Sequence, residues 1–351
     1  MRILYLTPTD VFSGGERVTR DIAREMQLRG HKVVYCGIEG PVRQAVEAVG
    51  VEFFALDGFT PASVRAAVKA WRPDLIHTMD FRASTYAALA DIPFLAHLHN
   101  NPLWLKGLGA NVWAMLFFGC RAAHILTVSD SVMDEYRFGA LFQKKTTVLG
   151  NVVDTAAVRE AAKQPLPSDI PADAGYDLLF FARLTEQKQP LTFLRIVSLL
   201  KERMPKLSAL MIGEGELRPA VEAEIARLDL SDTVTMAGYR ENPFPLAARA
   251  KLLLMPSAWE GFGLTAVESM ALGLPVLGTP VGGLQHILSG NCGGSCADAD
   301  AFVSRAEQLL TDPAAYEAAS SAARMRAEDF ADKTAYYDTI ERAARSAIGR
   351  E

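Results

Sequence analysis

The stretch Met255–Val276, MPSAWEGFGLTAVESMALGLPV, decides how this chain is read. The apolar run Leu252–Met255 is a strand, a loop follows with Glu260, Gly261, Phe262 and Gly263, and a helix opens near Leu264. Glycines let a backbone approach a ligand closely, and a helix start offers unpaired N–H groups to an anion. Glu260 stands at the loop tip and Glu268 about one turn inside the helix, so carboxylates bracket that start. Strand, glycine loop and helix in this order belong to a parallel α/β sheet, where ligands sit at the carboxyl ends of the strands.

Outward from this unit the same alternation covers the chain. Strands are expected at Ile3–Thr7, Lys32–Tyr35, Glu52–Ala55, Asp74–His77, Phe94–His97, Ile125–Thr127 and Thr146–Leu149. A second set follows at Leu178–Ala182, Ala209–Ile212, Val234–Ala237, Leu252–Met255 and Pro275–Leu277. Helical periods such as Glu16–Arg29 and Ser63–Trp71 lie between them, which is the pattern of βα units. The proline-rich stretch Lys163–Asp177, KQPLPSDIPADAGYD, has no apolar period and separates the two sets. The expected organisation is an α/β protein of two Rossmann-like, doubly wound domains facing a central cleft. These are residues 1–164, a linker at 165–176, and residues 177–331. A last helix, 332–351, crosses back to the first domain, because Tyr336, Tyr337, Ile340 and Ala344 share one face.

Composition agrees with a packed globular chain. Of 351 residues 50% are hydrophobic and 22% charged, which excludes a disordered or low-complexity protein. Lys and Arg number 36 against 41 Asp and Glu, so the basic excess of a nucleic-acid binder is missing. Four cysteines are too few for a disulfide framework in so long a chain. Pro8 and Asp10 interrupt the start too early for a signal peptide, and no apolar run has the length of a membrane span. A cytoplasmic protein is expected, at most peripheral at the inner face of the membrane. The segment Leu103–Cys120, LWLKGLGANVWAMLFFGC, is either a core helix or an interfacial patch flanked by Lys106 and Arg121.

E-G-F-G-L-T-A-V-E, Glu260–Glu268, resembles the E-x7-E motif of retaining family-4 glycosyltransferases of the GT-B fold. Further stretches resemble that family in the same order along the chain: SGGERVTRDIAREMQLRGHKV, NVVD, FARLTEQKQPLTFL, IGEGELR, AGYRENPF and GTPVGGLQHIL. The resemblance implies a nucleotide-sugar donor, UDP-linked, and a hydroxyl acceptor on a bacterial cell-surface glycan or glycolipid. It implies that Arg183 and Lys188 meet the donor diphosphate, and that amides at Leu264 and Thr265 meet its distal phosphate. Glu268 would hold the ribose, and Glu260 with the amides of Phe262 and Gly263 the donor sugar. Gly261, Gly213, Tyr239 and Arg240 would complete the donor site, and Gly14 and Gly15 would let the first loop close over the phosphate. His99 would lie near the reacting sugar, although His97 points to the same side of a strand and the choice stays open. The implied reaction is front-face displacement with retention of configuration, needing neither metal nor cofactor. The two glutamates are then not the paired carboxylates of a glycosidase.

The chain departs from the family at Ala182 and Val152, where glycine is usual, and at Gln285 and His286, where Pro and Glu are usual. Asp298-Ala299-Asp300 spells a metal-binding D-x-D, but it precedes a helix and an N-cap at Asp300 is expected instead. Cys292 and Cys296 lack a second ligand pair for zinc. Two rivals remain: a nucleotide-sugar epimerase or hydrolase of the same fold, and a non-catalytic sugar-binding protein. A Rossmann oxidoreductase fails because SGGER lacks G-x-G-x-x-G.

Overall fold

The computed structural model describes residues 1–349 and divides into two compact units, one of Met1–Asn151 with the chain from Lys333 onward, the other Val152–Asp332. In the first unit β1 (Arg2–Leu6), β2 (Lys32–Ile38), β3 (Glu52–Leu56), β4 (Leu75–Thr78), β5 (Phe94–Leu98), β6 (His124–Thr127) and β7 (Thr146–Val148) form one sheet. Its order is β3-β2-β1-β4-β5-β6-β7, parallel throughout. Ile3, Leu4, Tyr5 and Leu6 are all buried, as expected of a strand covered on both faces.

Helices start where side chains satisfy their free amides. Glu16 reaches back to the Ser13 amide at 3.1 Å at the start of helix Gly14–Leu28. Asp80 accepts from the Ala83 amide at the start of helix Phe81–Ala87. Helix Lys333–Ala347 belongs to this unit and buries Tyr336, Ile340 and Ala344. Its polar edge is held by Arg29, whose guanidinium lies 2.6 Å from Asp338 and 3.0 Å from Glu341, and by His31 at 3.2 Å from Glu341.

The second unit repeats the design with β8 (Tyr176–Phe181), β9 (Ala209–Ile212), β10 (Val234–Gly238), β11 (Ala250–Met255), β12 (Val276–Gly278) and β13 (Gly293–Ser295). The order β10-β9-β8-β11-β12-β13 puts the switch point between β8 and β11.

Three expectations need correction. The boundary falls after Asn151, not at 164, because helix Thr155–Ala161 packs on helix Leu264–Ala271 and the Val153 amide donates to Phe330 at 2.9 Å. The expected linker at 165–176 is therefore part of the second unit: Arg240 ion-pairs with Asp169, and Ile170 is buried. The cap before helix Ala299–Thr311 is Asp298, accepting from the Ala301 amide at 2.9 Å, while Asp300 lies in the first turn. Strand β13 was not expected at all.

Candidate functional site

In the second unit the loops after β8 and β11 flank the switch point, and they carry most of the residues expected at a donor site. The loop after β8 holds Arg183 and Lys188 and ends at Gln189, whose left-handed φ of 54° hands the chain to Pro190, first residue of helix Pro190–Arg203. Arg183 is exposed. Lys188 is half-buried, and its Nζ lies 2.5 Å from Glu260 Oε2. The two loops are tied again by main-chain and amide contacts. Ala258 N–H donates to the Gln187 carbonyl at 2.9 Å, and Gln187 Nε2 donates to the Trp259 carbonyl at 3.1 Å. Sequence reasoning passed over Gln187, since a loop glutamine carries no spacing signal.

Glu260 and Glu268 are both buried, at 6% and 3% exposure, so neither is an ordinary solvated loop charge. Gly263 sits at φ 107° immediately before Leu264, the first residue of helix Leu264–Ala271, with Thr265 next. A side chain there would be strained in the left-handed region. Gly261 and Phe262 are pressed against the start of helix Gly282–Ile287: a Cβ on Gly283 would lie 2.6 Å from the Gly261 carbonyl. Phe262 is buried against Phe330, and Phe330 also meets the His286 ring edge-on. His286 and Gln285, the departures from the family, are exposed.

Gly213 follows β9 with φ 140°, and a Cβ on it would lie 1.9 Å from the Ala182 carbonyl. Ala182 and Val152 themselves keep negative φ, so the missing glycines cost no backbone strain. After β10, Tyr239 is 68% exposed, while Arg240 is committed to Asp169 and donates to the Ala237 carbonyl at 2.9 Å. The structure thus brings Lys188, Glu260 and the start of helix Leu264–Ala271 to one place and ties Arg240 to Asp169.

In the first unit Gly14 and Gly15 open helix Gly14–Leu28, and no atom outside the helix would meet a Cβ on Gly15. His97 is fully buried in β5, and His99 follows the strand half-buried. Burial pushes His99 down to about 4 and His77 down to about 3, and it lowers His97 as well. It pushes the Asp80 carboxyl up to about 6. Below the ordinary histidine pKa of about 6.5 the unfolded chain takes up protons that the folded one refuses, so stability falls as pH falls. These groups, joined by His31 and His124, which burial also lowers, outweigh Asp80, which protonates first in the folded state, so the protein loses stability between about pH 7 and 5.5. Denaturant unfolding at the two pH values measures this, and equal stabilities would contradict it.

Among the described residues no three His, Cys, Asp or Glu side chains are grouped to share a metal ion, and no helix is long and apolar enough to cross a membrane. The segment Leu103–Cys120 is both core and surface. Val112, Met115 and Phe118 of helix Ala110–Arg121 are buried, while Trp113 and Phe117 are exposed.

The comparisons with known proteins agree along most of the chain. Residues 12–157 match the model of glycosyltransferase family 4, and residues 175–312 that of glycosyl transferases group 1. Glycogen synthase of Mycobacterium tuberculosis is 28% identical over 276 residues, covering 74% of this chain and 65% of that protein. D-inositol 3-phosphate glycosyltransferase of Pseudarthrobacter chlorophenolicus is 33% identical over 192 residues, covering 50% of this chain and 44% of that protein. The chain therefore spans less than two thirds of the length of these relatives. Anabaena HepE, solved in complex with UDP and glucose, superposes with a TM-score of 0.84 at 21% identity, covering 99% of this chain and 100% of that one. With two parallel Rossmann-like sheets, the glycine loop between its glutamates and these two matched domains, the chain belongs to the group 1, family-4 glycosyltransferases of the GT-B fold.

Proposed function

We propose that this chain is a retaining glycosyltransferase that moves a sugar from a UDP-linked donor to a hydroxyl acceptor, in the synthesis of a cell-surface glycan or glycolipid. The observation that carries this reading is the Lys188–Glu260 contact at 2.5 Å, which joins the cationic loop to the acidic glycine loop beside a helix start. Anabaena HepE, with UDP and glucose, supports the donor class.

In this reading Arg183 and Lys188 face the donor diphosphate, and the amides of Leu264 and Thr265 receive its distal phosphate. Glu268 accepts from the ribose hydroxyls. Glu260 and the amides of Phe262 and Gly263 hold the donor sugar, with Gly261 and Gly213 allowing close backbone approach. Tyr239 and Arg240 stand at the β10 end of the same sheet face. In the first unit, Gly14 and Gly15 serve the phosphate and His99 a sugar hydroxyl. As the bond from the anomeric carbon to the diphosphate oxygen breaks, the acceptor oxygen bonds that carbon on the same face. The departing oxygen takes the acceptor's proton. Negative charge grows on the leaving group, so fixed cations and a helix start lower the barrier without a metal. The acceptor falls to the first unit, where exposed Trp113, Phe117 and Leu103 lie near Lys106 in sequence and suit a glycolipid at a membrane surface.

Incubating the protein with UDP-sugars, with and without acceptors, tests the proposal. Transfer with UDP release should require an acceptor and proceed equally in excess EDTA. UDP release or sugar rearrangement without an acceptor would make it a hydrolase or epimerase. Binding without turnover would make it a sugar-binding protein. Activity lost in EDTA and restored by magnesium or manganese would overturn the metal-independent mechanism.

A further inference from the structure

Four rings run side by side across the first sheet and end at His99. Tyr5 on β1 meets His77 on β4 at 5.1 Å between ring centres, and His77 meets His97 on β5 at 5.5 Å and 16°. His97 meets His99 at 4.0 Å. Parallel register makes the row: Tyr5 pairs with His77, and His77 with Leu95, two residues before His97, so all three side chains leave one face of the sheet. Along this row both ring nitrogens of His97, both of His99, Nε2 of His77 and the Tyr5 hydroxyl are buried without a protein partner.

Such a row is an expensive way to fill a core, because each unpaired polar atom forfeits a hydrogen bond to water. Leucine or phenylalanine would pack the same space without that loss. The groups facing the imidazoles are uncharged. Tyr5 comes from β1, Leu126 of β6 pairs with His97, and from helix Lys333–Ala347 the neighbours of Tyr5 are Tyr336 and Tyr337. The carboxylates acting on this layer do so on tyrosines, Glu16 on Tyr35 and Asp21 on Tyr336.

We propose that His97, braced by His77 and Tyr5, is a positioning residue that keeps the His99 ring dry and in one plane, so that His99 meets a sugar hydroxyl as an uncharged hydrogen-bonding ring. The placing of His99 at the sugar rests on the proposed function; the ring row does not. His97 acts through contact and exclusion of water. Removing its ring opens space beside His99, lets water in and allows His99 to protonate near neutrality.

The test is histidine imidazole 15N spectroscopy of the full chain, titrated from pH 7.5 to 5, with His99 assigned by the signal lost in His99→Gln. In the wild type His99 should stay neutral throughout, and in His97→Phe it should stay neutral too. In His97→Ala its midpoint should rise by a pH unit or more toward about 6.5, the ordinary value. Turnover of His97→Ala should fall by up to about fourfold between pH 7.5 and 6, where wild type stays level, with donor KM little changed. A wild-type His99 that titrates near 6.5, or one indifferent to His97→Ala, overturns the proposal. If His97→Ala does not fold, the wild-type titration and His97→Phe still decide it. Wild-type turnover in His99→Gln would instead remove His99 from the sugar while leaving the spectra to judge the row.

Discussion

Lys188→Ala should lower kcat by about 10²–10³, the loss of about 2.7–4 kcal/mol typical of one group aimed at charge that develops in the transition state. Arg183→Ala should fall in the same range. The two should part in stability. Arg183 is exposed, so its removal should leave the melt unchanged. Lys188 faces a buried Glu260 at 2.5 Å, and removing it strands that carboxylate. Breaking a buried pair costs about 3–5 kcal/mol, which calorimetry or denaturant unfolding will show as a lower midpoint. Replacing both, as Lys188→Met with Glu260→Gln, should recover much of the stability and none of the turnover. Glu268→Ala should act differently again. The ribose hydrogen bonds proposed for it would exist in ground and transition states alike, so donor KM should rise with a smaller change in kcat. Wild-type kcat in Arg183→Ala and Lys188→Ala would remove the diphosphate from this loop.

Ending the chain after Asp332 should unfold the first unit. Helix Lys333–Ala347 buries Tyr336, Ile340 and Ala344, and its loss also frees Arg29 and His31 from Asp338 and Glu341. Removing one large buried side chain typically costs about 2–5 kcal/mol, so the helix as a whole rivals the about 5–15 kcal/mol that holds a domain folded. The truncated protein should lose the unfolding transition of residues 1–151 and keep that of residues 152–332. Hydrogen exchange resolves the two, because β1 and β5 amides should lose protection while β8 and β11 amides keep it. Ile340→Ala, a milder version, should lower the first transition by about 2–5 kcal/mol. A truncated chain that melts like the full one would show that the helix adds nothing to the first unit.

What could be read from the sequence had local causes. The strands were legible because strands covered on both faces must be continuously apolar, as in Leu252–Met255. The start at Leu264 was legible because Gly263 can take a φ that other residues resist. What escaped depends on distant partners. β13 is Gly293-Gly294-Ser295, with no strand-forming side chain, and exists because its main chain pairs with Val276, Leu277 and Gly278. The unit boundary at Asn151 rests on the Val153 amide meeting a carbonyl at Phe330. Asp298 and Asp300 are equally good caps on paper, and only the helix phase chooses Asp298. The pairing of Lys188 with Glu260 joins residues 72 positions apart, and the ring row from Tyr5 to His99 needs the sheet register.

The proposed function requires the loops after β8 and β11 to hold a nucleoside diphosphate. Calorimetric titration of UDP into the wild type and Glu268→Ala tests it most directly. The wild type should show one saturable site per chain, unaffected by EDTA, and Glu268→Ala should bind UDP at least tenfold more weakly. No UDP binding, or equal affinity in both proteins, would contradict it.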